Sequence, residues 1–262
     1  MTLTLGRGPL AQPPTSSLNF SLDEAPKHRL VFEDYPRRMR ALLGGHAVLD
    51  STAGKLLHET AHLPVYYAPV DDLDEQYLEA SEHTTHCPFK GDASYWSLRV
   101  GERLIENAIW HYPQPLEASS WLEGYCSLYA GAPDVWLQED EPVRGHLRDP
   151  YHRVDVLETS RQVEVRLGGE PIAESDRPKL VFETGLAPRV YLLRADVVPG
   201  LLEPSEKTSF CPYKGRASYW HLRFGEQRLE DGAWSYEEPL PEALKAAGHL
   251  CFDGEGIEVA VS

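Results

Sequence analysis

The chain contains no apolar run approaching the roughly 18 residues that a membrane-spanning helix needs. Cysteine is sparse, with Cys87, Cys126, Cys211 and Cys251 the only four in 262 residues, and no two fall at C-x-x-C spacing. That spacing excludes a zinc knuckle and a thioredoxin-like redox pair, so no metal and no cofactor are expected. Basic residues are few as well: 25 Lys plus Arg stand against 41 Asp plus Glu, a formal charge of −16. A field of that sign repels phosphate backbones and anionic lipid, so neither nucleic acid nor membrane is expected as a partner. The opening stretch, MTLTLGRGPLAQPPTSSLNF, lacks a basic start followed by an apolar core. It therefore reads as non-secretory, which predicts a cytoplasmic protein with free thiols. Its proline, serine and glycine predict a flexible arm over residues 1–27.

What is present is a repeat. HCPFKGDASYW at 86–96 returns as FCPYKGRASYW at 210–220, an offset of 211 − 87 = 124 positions. The same offset places Gly44-Gly45 on Gly168-Gly169, Pro64 on Pro188, Trp110 on Trp234, Tyr112 on Tyr236, and His28-Arg29 on His152-Arg153. No gap is needed between these points. The period is too long for a solenoid unit, so the chain reads as two copies of one domain. We expect a first domain over 28–137, a linker over 138–149 in polar, proline-flanked sequence, and a second domain over 150–262. The two repeats are expected to pack on each other.

Each copy reads as mainly antiparallel β. Val163, Val165 and Leu167 alternate with polar residues, and Gly168-Gly169 suits a tight primed hairpin turn. Trp220, Leu222 and Phe224 point to one side of a strand, while Tyr219, His221 and Arg223 point to the other. One short helix per copy is predicted, over PLEASSWLEG and PLPEALKAAG, which open with proline and close with glycine.

The run Leu-Glu-x-Ser-Glu-x-Thr-x-x-Cys-Pro-aromatic-Lys-Gly-x-Ala-Ser-Tyr-Trp, followed by AIWHYPQP or GAWSYEEP, resembles the bacterial domain-of-unknown-function family 427 in both copies. The resemblance implies a β-tent-like fold for each copy, two small antiparallel sheets leaning together. Some relatives of that fold pin the tent with four cysteines around zinc, a ligand set this chain lacks. The family is sometimes labelled nucleotidyltransferase-like. The carboxylates of VDDLDE at 70–75 reduce to Asp196 alone in the second copy, and paired carboxylates are what metal-assisted nucleotidyl transfer needs.

Two sets of side chains are candidates for chemistry. Cys87 with Lys90, and Cys211 with Lys214, would act as catalytic pairs if the turn brought the ammonium back to favour a thiolate. Glu79 and Glu203 would add a carboxylate as ligand contacts. The other reading packs each cysteine as a small hydrophobe. His83 and His86 become Lys207 and Phe210, which argues against a Cys–His dyad common to both copies. The second set is aromatic: Tyr67, Tyr95, Trp96 and Trp110, matched by Tyr191, Tyr219, Trp220 and Trp234, as walls for a flat or cationic molecule. They serve equally as core anchors. Alternation separates Tyr95 from Trp96, so one face alone lines any pocket, and the fold analogy places a cage between the two sheets. Cys126 and Cys251 are not equivalents and read as core residues. Three functions follow: a small-molecule binder or cysteine-assisted enzyme at the Cys-Pro-aromatic-Lys-Gly turn, a non-enzymatic interaction module, or nucleotidyl transfer.

Overall fold

A computed structural model describes residues 24–262, so residues 1–23 of the expected arm lie outside the described residues. The chain divides into two compact units between Asp149 and Pro150. The first holds β1 Leu30–Asp34, β2 Met39–Leu43, β3 His46–Ser51, β4 Lys55–Glu59, β5 Val65–Pro69, β6 Leu78–Cys87, β7 Gly91–Val100, β8 Arg103–His111, β9 Tyr125–Leu128, β10 Val135–Gln138 and β11 Glu141–Pro142. The second holds β12 Val154–Glu158, β13 Val163–Leu167, β14 Glu170–Ser175, β15 Lys179–Glu183, β16 Arg189–Tyr191, β17 Leu202–Cys211, β18 Gly215–Phe224, β19 Gln227–Ser235, β20 Leu250–Phe252 and β21 Ile257–Val261. Every ladder between these strands is antiparallel. Residues 138–149, expected as linker, fall in the first unit; β11 pairs with β10, and Val143 and Leu147 pack on that unit's core.

In the first unit a large sheet runs β1-β4-β5-β9-β8-β7-β6 and a small one β11-β10-β2-β3. The second unit repeats the order as β12-β15-β16 and β17-β18-β19-β20, joined by a bridge between Leu192 and Leu250, with β14-β13-β21 as its small sheet. The predicted primed turn is present in both, with Gly44 and Gly45 at φ +59° and +81° and Gly168 and Gly169 at +59° and +87°.

Alternation sorts the side chains into two cores per unit. Ala41, Leu43, Val48 and Leu49 of the small sheet meet Leu56, Tyr66, Leu98, Ile109 and Cys126 of the large sheet. The opposite face of the large sheet buries Leu57, Tyr67, Ala93, Tyr95 and Tyr112 under Leu122. Consecutive apolar pairs such as Leu56-Leu57 and Tyr66-Tyr67 reflect a sheet covered on both sides. The covering segments are Glu117–Leu122 and Pro241–Ala246. These are the predicted helices, but each is a six-residue 3₁₀ segment, a form used in short pieces where an α-helix lacks length to nucleate. Further single 3₁₀ turns occupy Val70–Asp72, Glu75–Tyr77 and Arg194–Asp196. No helix among the described residues is long and apolar enough to cross a membrane.

Candidate functional site

The repeated turn closes the β6–β7 hairpin. Cys87 ends β6, Gly91 opens β7 directly opposite it, and Lys90 N donates to Cys87 O at 3.2 Å. Gly91 sits at φ +104° and its counterpart Gly215 at +98°. A Cβ on Gly215 would lie 3.2 Å from Leu240 N and 3.3 Å from Glu238 O, so backbone approach and dihedral both demand glycine.

From this turn Lys90 reaches Glu59 at the end of β4, its Nζ donating to Oε2 at 2.5 Å. His28 Nε2 meets the other oxygen of the same carboxylate at 2.7 Å. The aromatic of the turn, Phe89, stacks on the His28 ring with centroids 3.7 Å apart and planes 9° apart. The second unit builds the same clasp: Lys214 and His152 hold Glu183, and Tyr213 lies 4.0 Å from the His152 ring centroid. Lys90 and Glu59 are both buried.

The contact is long-range in the sheet. β4 and β7 stand four strand spacings apart, roughly 19 Å on a flat sheet. No side chain spans that distance, so the sheet curls around its Leu57–Tyr67–Tyr95–Tyr112 core until its ends meet. Burial opposes ionisation of Glu59, but the bonds from Lys90 and His28 outweigh it and hold the carboxyl below its ordinary range. Burial acts likewise on Glu183, yet His152 and Lys214 bring it down to about 2. Burial also raises the hydroxyl pKa of Tyr67, Tyr112, Tyr191 and Tyr236, which stay protonated.

The structure brings together part of the predicted set. Cys87, Tyr67, Tyr95 and Trp110 share one cluster on the clasp side of the sheet, and Cys211, Tyr191, Tyr219 and Trp234 share its counterpart. Trp110 Nε1 donates to Tyr67 OH at 3.1 Å, and Trp234 Nε1 to Tyr191 OH at 3.0 Å. Tyr95 OH meets Thr85 Oγ1 at 2.8 Å, and Tyr219 OH meets Ser209 Oγ at 3.0 Å. Cys87 and Cys211 are half-buried among these rings. Lys90 and Lys214, expected to turn back to the sulfur, bond carboxylates from distant strands.

Other residues stand apart. Trp96 and Trp220 face the core between the sheets; Trp96 stacks on His111 at 4.0 Å, and Trp220 lies under the Arg194 guanidinium at 4.2 Å. The aromatics therefore do not form one cage between the sheets. Glu79 and Glu203 pair on the surface with Arg99 and Arg223. Cys87 lies eight positions beyond Glu79 along β6, roughly 25 Å of strand. His86 bonds Asp92 at 2.6 Å on the exposed hairpin, and among the described residues no three metal-binding side chains gather. Cys126 and Cys251 are core residues, their thiols pushed by burial up to about 12.

The sequence reading missed His28, Glu59, His152 and Glu183. It sought a shared histidine beside the cysteine, whereas the shared histidine lies 59 residues upstream, at 87 − 28. The signal was the offset itself, which superposes His28 on His152 and Glu59 on Glu183 with no change of residue.

No curated protein matches the chain. The family model of DUF427, a domain of unknown function, matches residues 31–139 and again 155–262, starting points that differ by 155 − 31 = 124. Two matches that together cover most of the sequence, each holding one lysine–glutamate pair of the clasp, make the chain a tandem member of the DUF427 family.

Proposed function

We propose that each repeat is a small-molecule-binding domain that works without covalent thiol chemistry. In this reading the Cys-Pro-aromatic-Lys-Gly turn is a clasp that fixes a wall of tyrosine and tryptophan, and the ligand rests against that wall. The observation that carries the proposal is the destination of the lysine. Lys90 donates to Glu59 at 2.5 Å, so the cation that would favour a thiolate is neutralised by a buried carboxylate. A buried ion pair is also a poor investment for stability alone, because apolar residues of similar volume do as well. Its presence in both units supports a role in holding a defined surface. Nucleotidyl transfer draws no support from the repeat. Asp71 and Asp74 become Ala195 and Val198, while Asp196 accepts a bond from Ser175 Oγ at 2.6 Å.

The test is ligand-observed NMR with a chemically diverse panel of small molecules on the full chain and on Cys87→Ser/Cys211→Ser. Binding that shifts the Trp110 or Trp234 indole signal and survives the double substitution is the expected result. Absence of any such ligand, or binding lost with the thiols, overturns the proposal.

A further inference from the structure

We infer that the first unit holds a second small-molecule site, a groove against edge strand β1 that takes a flat aromatic molecule carrying one anionic group. It is lined by Leu30, Phe32, Lys55, Trp121 and Tyr125 and encloses about 420 Å³. That volume falls in the range of about 300–1,000 Å³ usual for small-molecule pockets. None of its lining residues belongs to the clasp; Phe32 meets Tyr67 of the wall edge-on at 5.8 Å, but the inference does not rest on the reading above.

The walls are set by packing. Leu30 and Phe32 lie two apart on β1 and so share a face. Phe32 stacks on Trp121 with centroids 4.7 Å apart and planes 26° apart, and Tyr125 meets Phe32 edge-on at 5.3 Å. Trp121 is anchored by its neighbour Leu122, which is fully buried. The groove therefore offers preorganised ring surface, the kind that a planar molecule covers at low conformational cost.

The charge is set by Lys55. Its ammonium pairs with Asp34, whose carboxylate is 83% exposed. A pair this open contributes little in water, and Asp34 rotates into solvent without burying anything. An anionic group on the ligand then takes its place at Lys55. A cationic ligand, which bare aromatic faces would otherwise suit, is opposed by the same ammonium.

The second unit supplies the contrast. A groove of about 620 Å³ in the second unit shares Lys179 and His249, the equivalents of Lys55 and Tyr125, but is otherwise lined mainly by polar and charged residues such as Glu158, Asp176 and Arg177. Val156 and Lys245, which stand in the second copy for Phe32 and Trp121, are not part of its wall. The cation persists and the stacking surface does not, so discrimination in favour of rings belongs to the first unit.

The experiment titrates the full chain with naphthalene-2-carboxylate, its neutral alcohol analogue 2-naphthylmethanol, and cyclohexanecarboxylate, following the Trp121 indole N–H by NMR. We expect saturable binding of the naphthoate at Trp121, with both analogues at least about tenfold weaker, a difference of about 1.4 kcal/mol. Lys55→Met, a substitution at a partly exposed strand position, should erase the preference of naphthoate over the alcohol. Trp121→Lys, which installs the residue of the second copy, should remove the preference for the ring. A Trp121 signal unmoved by naphthoate, or a preference for naphthoate over the alcohol that persists after Lys55→Met, refutes the site. Binding at the clasp wall reports through Trp110 rather than Trp121, so failure here is distinguishable from failure of the proposal above.

Discussion

Replacing Lys214 by methionine tests the energetic meaning of the clasp. Lys214 and Glu183 have side chains only 13% and 10% exposed, so the substitution takes the ammonium from a desolvated carboxylate and leaves it to His152. Breaking a buried pair from one side costs about 3–5 kcal/mol. Titration bounds the figure from above. The Glu183 carboxyl falls from an ordinary value of 4.5 to about 2, roughly 3 kcal/mol of folded-state stabilisation that His152 and Lys214 share. Because the folded value is depressed, this stability is present above pH 4.5 and fades as the pH drops toward 2. Urea unfolding of the full chain, followed by circular dichroism, should place Lys214→Met up to roughly 3 kcal/mol below the parent at pH 7. At pH 3 that gap should narrow, since the parent is losing what the variant never had. A deficit under about 1 kcal/mol at pH 7, or a gap unchanged at pH 3, would show that the ion pair is ornamental and the argument wrong.

Three further outcomes follow from the same geometry. A thiol reagent at neutral pH should modify the half-buried Cys87 and Cys211 in the folded protein, while Cys126 and Cys251 react after denaturation; fast labelling of all four would contradict the burial. Gly215→Ala should cost about 1–3 kcal/mol in thermal or chemical unfolding, since it combines a left-handed dihedral with a backbone clash, and Gly45→Ala, with open space around it, should cost less. Trp110→Phe and Trp234→Phe each leave a buried tyrosine hydroxyl without its indole donor, so denaturation should show matching losses of about 1–3 kcal/mol; a large difference between them would mean the two clusters are not equivalent.

The sequence made the duplication legible because one ungapped offset tied residues across the whole chain. The strand faces followed from alternation: Tyr95 and Trp96 lie in opposite cores, as their spacing requires. The paired glycines at 44–45 and 168–169 announced their turns. The clasp was harder to see, because the bond from Lys90 to Glu59 spans 31 residues and depends on the curl of a seven-stranded sheet. Curl is a collective outcome of twist and packing, and no local pattern encodes it. Glu79 misled for the converse reason: nearness in sequence along an extended strand is distance in space. The six-residue covering segments carried the proline and glycine marks of helix ends, but too few residues lay between those marks for an α-helix to form.

The joint between Leu192 and Leu250 consists of two backbone hydrogen bonds, both 2.8 Å, that carry one half of the second unit's large sheet into the other. The ion pair from Lys214 to Glu183 ties the same two halves at a separate point, beside the Trp234–Tyr191 bond and the Arg189–Asp253 and Arg194–Glu237 pairs. A seam fastened at several points resists hinging in a way no single fastener achieves. With the Lys214 tie cut, the sheet is expected to loosen first along the Leu192 line, and amide exchange there to quicken before any ladder within either half comes apart.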